Sequence, residues 1–260
     1  ETKKPAYLLG NIGQPMLSFN NLTKLLNGKT IFVLELSSYM LDDIQTSPHI
    51  AVVTNLFPDH MNYHGSLEKY YDAKKNIIRY QKKGDYFVFN PKPAELAPWV
   101  KESIGTPVPY LPCRQAGQAE LPLKDSDIPL LGAHNRDNIR ASVTVARLLN
   151  IPDSISAKAI KKFKNLSHRL ERVGTFKGIT FYDDANATTP EATIEAINAL
   201  PNTQTIFLGG QDRGYDFKQL AMTIAERRIK NLVLFPDSGP KILKNIPKSH
   251  FRIFRILKTT

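Results

Sequence analysis

The sequence has very little cysteine and no long apolar run. Its single cysteine, Cys113, cannot form a disulfide bond within the chain, which excludes the disulfide-stapled class of small secreted domains. No stretch approaches the roughly 18 consecutive apolar residues of a membrane span. The first residues also lack the charged, apolar and small-residue regions of a secretory signal peptide. We therefore predict a cytoplasmic location and no insertion into a membrane.

Acidic residues are in the minority, and the formal net charge is +11 over 260 residues. Such an excess favours anionic partners, which include nucleotide phosphates, carboxylates and nucleic acid. The basic residues are scattered, however, and no aromatic-interleaved RNA-binding motif accompanies them. We assign most of them to a solvated surface and expect no nucleic-acid partner. The length allows one large domain or two modest domains with cores of their own.

A phosphate loop is also missing from the sequence. Asn27 to Thr30 (NGKT) resembles the end of such a loop, but the full pattern requires a glycine where Thr23 stands. It also requires a preceding strand and a following helix, whereas here a helix-like stretch precedes and a strand follows. We interpret Gly28 as the C-cap of a helix that leads into the next strand.

The stretch from Ile31 to Ile78 carries the clearest chemical signal. Its two apolar runs, IFVL before Glu35 and Ile50 to Leu56, predict neighbouring strands that are buried on both faces of a parallel sheet. Ligands of open α/β sheets bind beyond the carboxyl ends of the strands. We therefore expect Glu35 to meet Asp59, His60 and His64, which follow the second run, at one rim. An acid at such a strand end is typical of a Mg²⁺ ligand in nucleotide hydrolases.

The next segment predicts an amphipathic helix with Ser66 as its N-cap. One face of this helix would carry Leu67, Tyr70, Tyr71, Lys74, Ile77 and Ile78. Lys75 would point elsewhere and be an ordinary solvated lysine. Lys74, on the apolar face, either extends its ammonium to water or has a lowered pKa beside the predicted metal rim.

Two turns that contain asparagine are weaker signals. Gly10 and Asn11 follow a short apolar strand, where glycine allows a ligand to approach the backbone, but Gly-Asn is also a common turn. Asn135 and Asn138 stand three apart in the first turn of a helix that begins near His134. Two such amides can hold a nucleotide base or sugar, or they can cap the backbone. Both alternatives remain open.

Strands and helices alternate after residue 168, which predicts a parallel sheet wrapped by helices. Thr189 as N-cap and Pro190 in the first helical position form a strong helix-start signal. We expect the loop that begins at Asp183 to direct free backbone N–H groups toward a ligand crevice. Arg213 lies on a glycine-flanked loop after the next strand.

An ordered set of motifs resembles the Mur ligases. These motifs are GNIG, LELSS, TN-x3-DHM-x2-H, YYDAK, HN-x2-N, HRLE, YDD-x-NATTPEAT and GGQDRG-x-D. The sequence is most similar to the branch that joins glutamate to UDP-N-acetylmuramoyl-L-alanine in peptidoglycan synthesis, and the resemblance covers nearly the whole chain. Several motifs in the right order are far more specific than any one of them.

The resemblance implies an α/β fold in two partial domains. Residues 1–167 would form the central ATPase domain, a mostly parallel sheet with helices, and residues 168–260 a Rossmann-like glutamate-binding domain. We expect a UDP-binding domain and the phosphate loop before Glu1, and a final strand and helix after Thr260. Residues 1–260 alone are then not expected to catalyse ligation.

The resemblance also implies a reaction and its participants. Enzymes of this family use ATP to phosphorylate a carboxylate, and the amine of an amino acid then attacks the acyl phosphate. The expected cofactors are ATP and Mg²⁺, because each step gathers negative charge that cations must neutralise. The expected substrates are UDP-N-acetylmuramoyl-L-alanine and glutamate, and the protein is expected to be a monomer.

Residue roles can be carried over from the family position by position. The resemblance implies a catalytic metal site, a nucleotide site and contacts to two substrates. Glu35 and His60 would bind Mg²⁺, joined by Lys74 if it is carbamylated as in the family. Asn135 and Asn138 would lie beside adenine, Arg169 near the phosphates or ribose, and Asp184 near the ribose. Asn11 would contact the muramoyl substrate or phosphate, and Ser37 would bind substrate. Thr188 and Arg213 would bind the incoming glutamate.

The sequence departs from the family pattern in the glutamate-binding loop. The family loop reads Asp-Ser-Lys-Ala-Thr-Asn, and Asn186 here replaces its lysine. Arg213 also replaces a lysine, which is not a neutral exchange. These departures leave D-glutamate and L-glutamate open as substrates. Two other hypotheses are a folylpolyglutamate-synthase-like ligase and a non-catalytic binding module.

Overall fold

The computed structural model describes residues 5–12, 15, 30–110, 121–247 and 252–255. Cys113, Gly13 and the segment from Asn27 to Lys29 lie outside these described residues. The strands are β1 (Ala6–Gly10), β2 (Ile31–Glu35), β3 (Ile50–Val53), β4 (Tyr86–Phe89), β5 (Thr106–Pro109), β6 (Glu171–Phe176), β7 (Ile179–Asp183), β8 (Thr205–Gly210), β9 (Asn231–Asp237) and β10 (Arg252–Arg255). The α-helices are α1 (Ser38–Asp42), α2 (Met61–His64), α3 (Leu67–Arg79), α4 (Ala97–Glu102), α5 (Ala133–Leu148), α6 (Asp153–Lys162), α7 (Pro190–Ala199), α8 (Lys218–Glu226) and α9 (Ser238–Asn245).

The chain divides into two compact units. The first unit contains Glu1–Leu123 and Asp137–Ala159, and the second contains Lys124–Arg136 and Ile160–Thr260. The boundary after residue 167 that the motifs suggested remains a prediction. Within the described residues, no helix is both long enough and apolar enough to cross a membrane.

The main sheet of the first unit is parallel, with the order β3-β4-β5. Its central strand β4 is fully buried at Phe87 and Val88. Phe87 packs in a core with Leu96 and Trp99 on one face of the sheet, and Val88 packs with Ala141 of α5. Helices thus cover both faces, which is the arrangement that a parallel sheet requires.

The predictions for β2 were wrong in two respects. This strand pairs in parallel with β1 in a separate sheet of two strands, and β3 pairs with β4. The strands β2 and β3 are therefore not hydrogen-bonded neighbours. The strand is also not buried on both faces, since Val33 is 53% exposed and Leu34 39% exposed. Burial of a strand depends on what packs against its two faces, which an apolar run alone does not specify.

Helix α3 confirms the predicted helix and its cap. The Ser66 side chain accepts a hydrogen bond from the Lys69 N–H, and Tyr70 and Ile78 are buried. Leu67 was wrongly placed on the inward face, because it lies in the first turn and is 40% exposed. The prediction for Lys75 was also wrong, since its ammonium forms an ion pair with Glu102 of α4 and its side chain is only 20% exposed.

The second unit contains the parallel sheet that the alternating pattern predicted, with the order β10-β9-β8. Its core includes the fully buried residues Ile224 and Leu232. The first predicted strand, β7, does not join this sheet but forms an antiparallel hairpin with β6. The turn residues Lys177 and Gly178 both have positive φ, at 48° and 78°. Such a turn folds the chain directly back on itself. The predicted α/β class is confirmed.

Candidate functional site

Glu35 lies at the end of β2, where it is bound to the neighbouring turn. The backbone N–H of Asn11 donates to the Glu35 carbonyl oxygen at 2.9 Å, and the Asn11 side-chain amide donates to the Glu35 carboxylate at 3.1 Å. Gly10 has a φ of 102°, and a Cβ atom there would overlap the Glu35 carbonyl oxygen. Only glycine therefore allows the two backbones to approach so closely.

Helix α1 connects the end of β2 with the histidines of the first unit. Ser37 caps this helix by accepting a hydrogen bond from the Met40 N–H. The Ser38 hydroxyl lies 3.0 Å from Nε2 of buried His64. The Tyr39 hydroxyl lies 3.1 Å from Nδ1 of His60. The structure thus gives Ser37 a capping role, and its predicted contact with substrate remains a prediction.

His60 adopts a left-handed backbone conformation with φ of 57°. Its N–H donates to the Asp59 carboxylate at 2.8 Å, and its ring Nε2 lies 3.6 Å from the other Asp59 oxygen. A non-glycine residue in this conformation usually reflects a local constraint. Here Asp59 holds the His60 backbone, and the Tyr39 hydroxyl contacts the imidazole at Nδ1.

Lys74 projects from α3 toward the same group of residues. Its ammonium nitrogen lies 5.1 Å from the centroid of the Tyr70 ring. Burial lowers the pKa of Lys74 below its ordinary value, and the nearby negative charge of Asp59 partly opposes this shift. A lowered pKa increases the fraction of neutral amine, which is the form that reacts with electrophiles. Of the two alternatives, the structure thus favours a perturbed lysine over one that reaches water.

The first unit therefore brings His60 and Lys74 together around Asp59. The expected meeting of Glu35 with His60 and His64 remains a prediction. Sequence reasoning placed Asp59 at this rim but did not include it among the candidate metal ligands, although its position directly before His60 was a usable signal. A carboxylate and an imidazole suit Mg²⁺ or Mn²⁺. An ammonium cannot ligate a metal, so Lys74 would join the set only after modification. Binding of one metal ion by Glu35, His60 and modified Lys74 remains a prediction.

The second unit holds a cluster formed by the HRLE and YDD motifs. His168 Nδ1 lies 2.7 Å from the Asp183 carboxylate, and Glu171 accepts the backbone N–H of His168 at 2.9 Å. The hydrogen bond to Asp183 raises the pKa of His168, and the same bond lowers the pKa of Asp183. Among the described residues, His168, Glu171 and Asp183 also form a group whose ligand atoms are close enough together to hold a metal ion.

Arg169 and Asp184 hold the same two segments together. The Asp184 carboxylate accepts the Leu170 N–H at 2.8 Å, and the Arg169 guanidinium donates to the Asn186 carbonyl oxygen at 3.2 Å. Burial raises the pKa of Asp184 above its ordinary value, and the bond from Leu170 opposes this shift. Arg169 and Asp184, two of the four predicted nucleotide-binding residues, thus lie close together in the second unit.

The expectation of free N–H groups in this loop was wrong. The N–H groups of Ala185, Asn186 and Ala187 donate to Asp183, His168 and Asp184, respectively. Two of these acceptors, Asp183 and Asp184, belong to the loop itself, and the third, His168, lies in the HRLE motif. Thr189 does cap α7 as predicted, through a hydrogen bond from the Ala192 N–H, with Pro190 in the first turn. Thr188 is exposed beside this cap.

Both predicted asparagines lie on α5, which begins at Ala133. The Asn135 amide donates to the Leu131 carbonyl oxygen at 2.7 Å, a bond to the backbone that precedes the helix. The Asn138 carbonyl oxygen accepts the Ser142 hydroxyl at 3.0 Å. Contact with a nucleotide remains a prediction for both residues.

Arg213 lies on the loop between β8 and α8, as its glycine-flanked sequence predicted. Its neighbour Asp212 accepts the Gly214 N–H at 3.0 Å and forms an ion pair with Lys241 of α9. Sequence reasoning missed this pair, because its members are 29 residues apart and belong to different elements.

Comparison with known proteins shows which class of protein this chain is similar to. Residues 8–111 match the family described as the Mur ligase middle domain. This segment includes Asn11, Glu35, His60 and Lys74. The resemblance to the Mur ligases that the motifs indicated is thereby confirmed.

Two relatives carry the same printed name, UDP-N-acetylmuramoylalanine–D-glutamate ligase. The protein from Symbiobacterium thermophilum is 31% identical over 257 residues, which cover 92% of this chain. The protein from Streptococcus pyogenes is 34% identical over 257 residues, which cover 94% of this chain. The chain spans 56% of the length of these curated relatives.

Solved structures support the same fold. MurF from Acinetobacter baumannii superposes with a TM-score of 0.70 at 17% identity, over 97% of this chain and 67% of that one. MurF from Thermotoga maritima in complex with ADP has a TM-score of 0.67 at 18% identity, over 97% and 64%. A Yersinia pestis bifunctional folylpolyglutamate and dihydrofolate synthase, with AMPPNP and manganese, has a TM-score of 0.60 at 15% identity, over 90% and 60%.

Proposed function

We propose that this protein is an ATP-dependent ligase that joins glutamate to UDP-N-acetylmuramoyl-L-alanine in peptidoglycan precursor synthesis. The observation that carries the proposal is the similarity, over nearly the whole chain, to two relatives named as ligases for D-glutamate. The chemistry of the two candidate sites agrees with this assignment. A cytoplasmic location and a monomeric state belong to the same proposal.

The proposed reaction forms an amide bond in two steps. The terminal phosphoryl group of ATP passes to the alanyl carboxylate, which gives ADP and an acyl phosphate. The glutamate amine then attacks the acyl carbon and inorganic phosphate leaves. Both steps place several anionic oxygens close together, so fixed cations contribute most of the stabilisation.

Asn135, Asn138, Arg169 and Asp184 are our candidates for the nucleotide site. Arg169 and Asp184 are already held by hydrogen bonds to neighbouring backbone, so neither side chain would need to be ordered when the nucleotide binds. Preorganised groups of this kind lower the cost of binding. The ADP and AMPPNP complexes among the similar structures support a nucleotide as ligand.

Glu35 and His60 are our candidates for binding Mg²⁺, which when bound would neutralise phosphate and carboxylate charge. Lys74 could contribute after its neutral amine adds CO2 and loses a proton, which forms a carbamate. Such a group exchanges an ammonium that is costly to bury for a carboxylate that can face a cation. The lowered pKa of Lys74 supports this step, because the neutral amine is the reactive form.

Thr188 and Arg213 are our candidates for binding glutamate. The lysine expected in the preceding loop is replaced by Asn186, whose amide faces the Ser167 carbonyl oxygen at 3.5 Å. The loop therefore offers no cation at this position, and recognition of the amino-acid carboxylates depends more heavily on Arg213. This difference leaves L-glutamate open as a second candidate substrate.

The test is an assay of the complete protein with ATP, Mg²⁺ and UDP-N-acetylmuramoyl-L-alanine. D-glutamate and L-glutamate are supplied separately, and both phosphate release and the dipeptide product are measured. Ligation of D-glutamate supports the main proposal, and ligation of L-glutamate alone supports the second candidate. Ligation of a folate in place of the UDP-sugar, or no ligation of either isomer, would contradict both.

A further inference from the structure

We propose that Lys241 is a positioning residue for Arg213. Through its ion pair with Asp212, it fixes the loop that presents the Arg213 guanidinium to a carboxylate of the incoming amino acid. This inference rests on the proposed function, in which Arg213 binds glutamate. It adds a residue from a separate helix that no motif contained.

The loop from Gln211 to Phe217 is anchored at both of its ends. Before the loop, a Cβ atom on Gly209 would lie 2.5 Å from the Phe235 Cβ, so β8 and β9 approach closely there. At the far end, Phe217 is buried in the core of the second unit. Asp216 accepts the Lys218 N–H at 2.9 Å and thereby holds the start of α8.

The middle of the loop is held by Asp212. One carboxylate oxygen accepts the Gly214 N–H at 3.0 Å, and the other contacts the Lys241 ammonium. Gly214 has a φ of 79°, a conformation that suits glycine. Arg213 therefore stands between two residues whose positions depend on the same carboxylate.

Lys241 is itself carried by a firmly seated helix. Ser238, Gly239 and Ile242 of α9 are buried, and Ile242 belongs to the core of the second unit. A Cβ atom on Gly239 would lie 3.2 Å from the Leu234 Cβ, which shows how closely α9 packs on β9. The ammonium thus provides the loop with a fixed attachment point.

The pair also has an electrostatic consequence for Arg213. The bond from Lys241 holds the pKa of Asp212 below its ordinary value, so this carboxylate is ionised at neutral pH. An ionised carboxylate without its lysine would compete with a substrate carboxylate for the adjacent guanidinium. By pairing with Asp212, Lys241 reduces the competition of this carboxylate for the adjacent guanidinium.

The first experiment measures the kinetics of Lys241→Met in the complete protein. We expect the KM for glutamate to rise roughly tenfold, with kcat and the KM for ATP changed by less than about twofold. Lys241→Arg keeps the charge and should retain most of the affinity. The matched control is Lys244→Met, which removes an exposed lysine from the same helix and should match the wild type. Equal KM values for Lys241→Met and Lys244→Met would overturn the proposal, as would a parallel loss of kcat and melting temperature.

A second experiment does not depend on ligase activity. Hydrogen exchange of the peptide that spans residues 209–217 is compared between Lys241→Met and Lys244→Met. We expect faster exchange at Gly214 only in Lys241→Met, because the acceptor Asp212 is then released. Unchanged exchange would overturn the positioning role, whether or not glutamate is a substrate. By contrast, an unchanged KM for glutamate in Arg213→Met would overturn the glutamate contact from the proposed function.

Discussion

Two adjacent lysines on α3 show how the chemistry of a residue depends on its surroundings. Lys75 forms an ion pair with Glu102, so its charge is compensated. Lys74 faces Tyr70 and the region of Asp59, and burial lowers its pKa. The charged form of Lys74 therefore costs free energy in the folded state, and the uncharged form does not. This difference leads to a prediction about pH.

We expect Lys74→Met to remove one component of the pH dependence of stability. The unfolded chain keeps the Lys74 proton up to the ordinary pKa of 10.5, whereas the folded protein loses it at lower pH. Proton release on folding then makes the free energy of unfolding rise with pH between the folded pKa and 10.5. Urea unfolding between pH 7 and that limit measures this rise, and it should be weaker in Lys74→Met. Lys69→Met, on an exposed position of the same helix, should keep the wild-type slope.

The Tyr39 hydroxyl offers a second test at a single atom. Tyr39→Phe removes the contact with His60 Nδ1, and a hydrogen bond of this kind contributes about 0.5–1.5 kcal/mol. We expect the ring to sample other orientations, so that more Mg²⁺ is needed for half-maximal activity. Nitrogen NMR of the His60 ring in the metal-free protein should also change. Tyr63→Phe removes a neighbouring hydroxyl that belongs to the same aromatic group. An equal effect of both variants would contradict a specific role for Tyr39.

At the scale of elements, capping signals identified helices more reliably than apolar runs identified buried strands. The caps at Ser66 and Thr189 depend on contacts within one turn, which the local sequence specifies. The burial of β2 depends instead on which strands flank it, and no local pattern contains that information. The hairpin of β6 and β7 was missed because a bulge after Arg172 breaks the alternation of β6.

The Ser66 cap can be tested by deletion of one oxygen atom. Ser66→Ala leaves the Lys69 N–H without its acceptor, and we expect a loss of about 1 kcal/mol in the free energy of unfolding. Ser66→Asp should restore most of this loss. Ser142→Ala is a control inside α5, where the hydroxyl donates to the backbone of its own helix and its loss should cost little. Chemical denaturation measures all three variants, and equal values for Ser66→Ala and Ser142→Ala would exclude a capping role.

The candidate site shows the same contrast between residues that the local sequence marks and contacts that only the fold creates. Glu35, His60 and Lys74 could be selected from sequence because a strand end, a motif and a helical face each mark one residue. The contact of Asp59 with Lys74 and the pair of Asp212 with Lys241 could not be selected in this way. Both depend on distances between elements that the chain order does not specify.

At the scale of the whole molecule, each unit has a core built from its own residues. Ile224 and Leu232 belong to the core of the second unit, whereas Phe87 and Leu96 belong to that of the first. Each core can therefore be weakened separately. Ile224→Ala should cost about 2–5 kcal/mol, because it leaves a cavity at a position that is fully buried.

Hydrogen exchange measures where that destabilisation appears. In Ile224→Ala we expect faster exchange in β8, β9 and α9, with β3 and β4 unchanged. Leu96→Ala should give the reverse pattern. Faster exchange in both units from either variant would contradict separate cores.

The close approach of β1 and β2 at Gly10 restricts what evolution can place there. Any side chain at this position would push the Glu35 carbonyl away and separate the carboxylate from the Asn11 amide. Neither a smaller neighbour nor a different rotamer can relieve the overlap, because the obstructing atom belongs to the main chain. A library randomised at codon 10 and selected for activity of the complete protein should therefore return glycine alone.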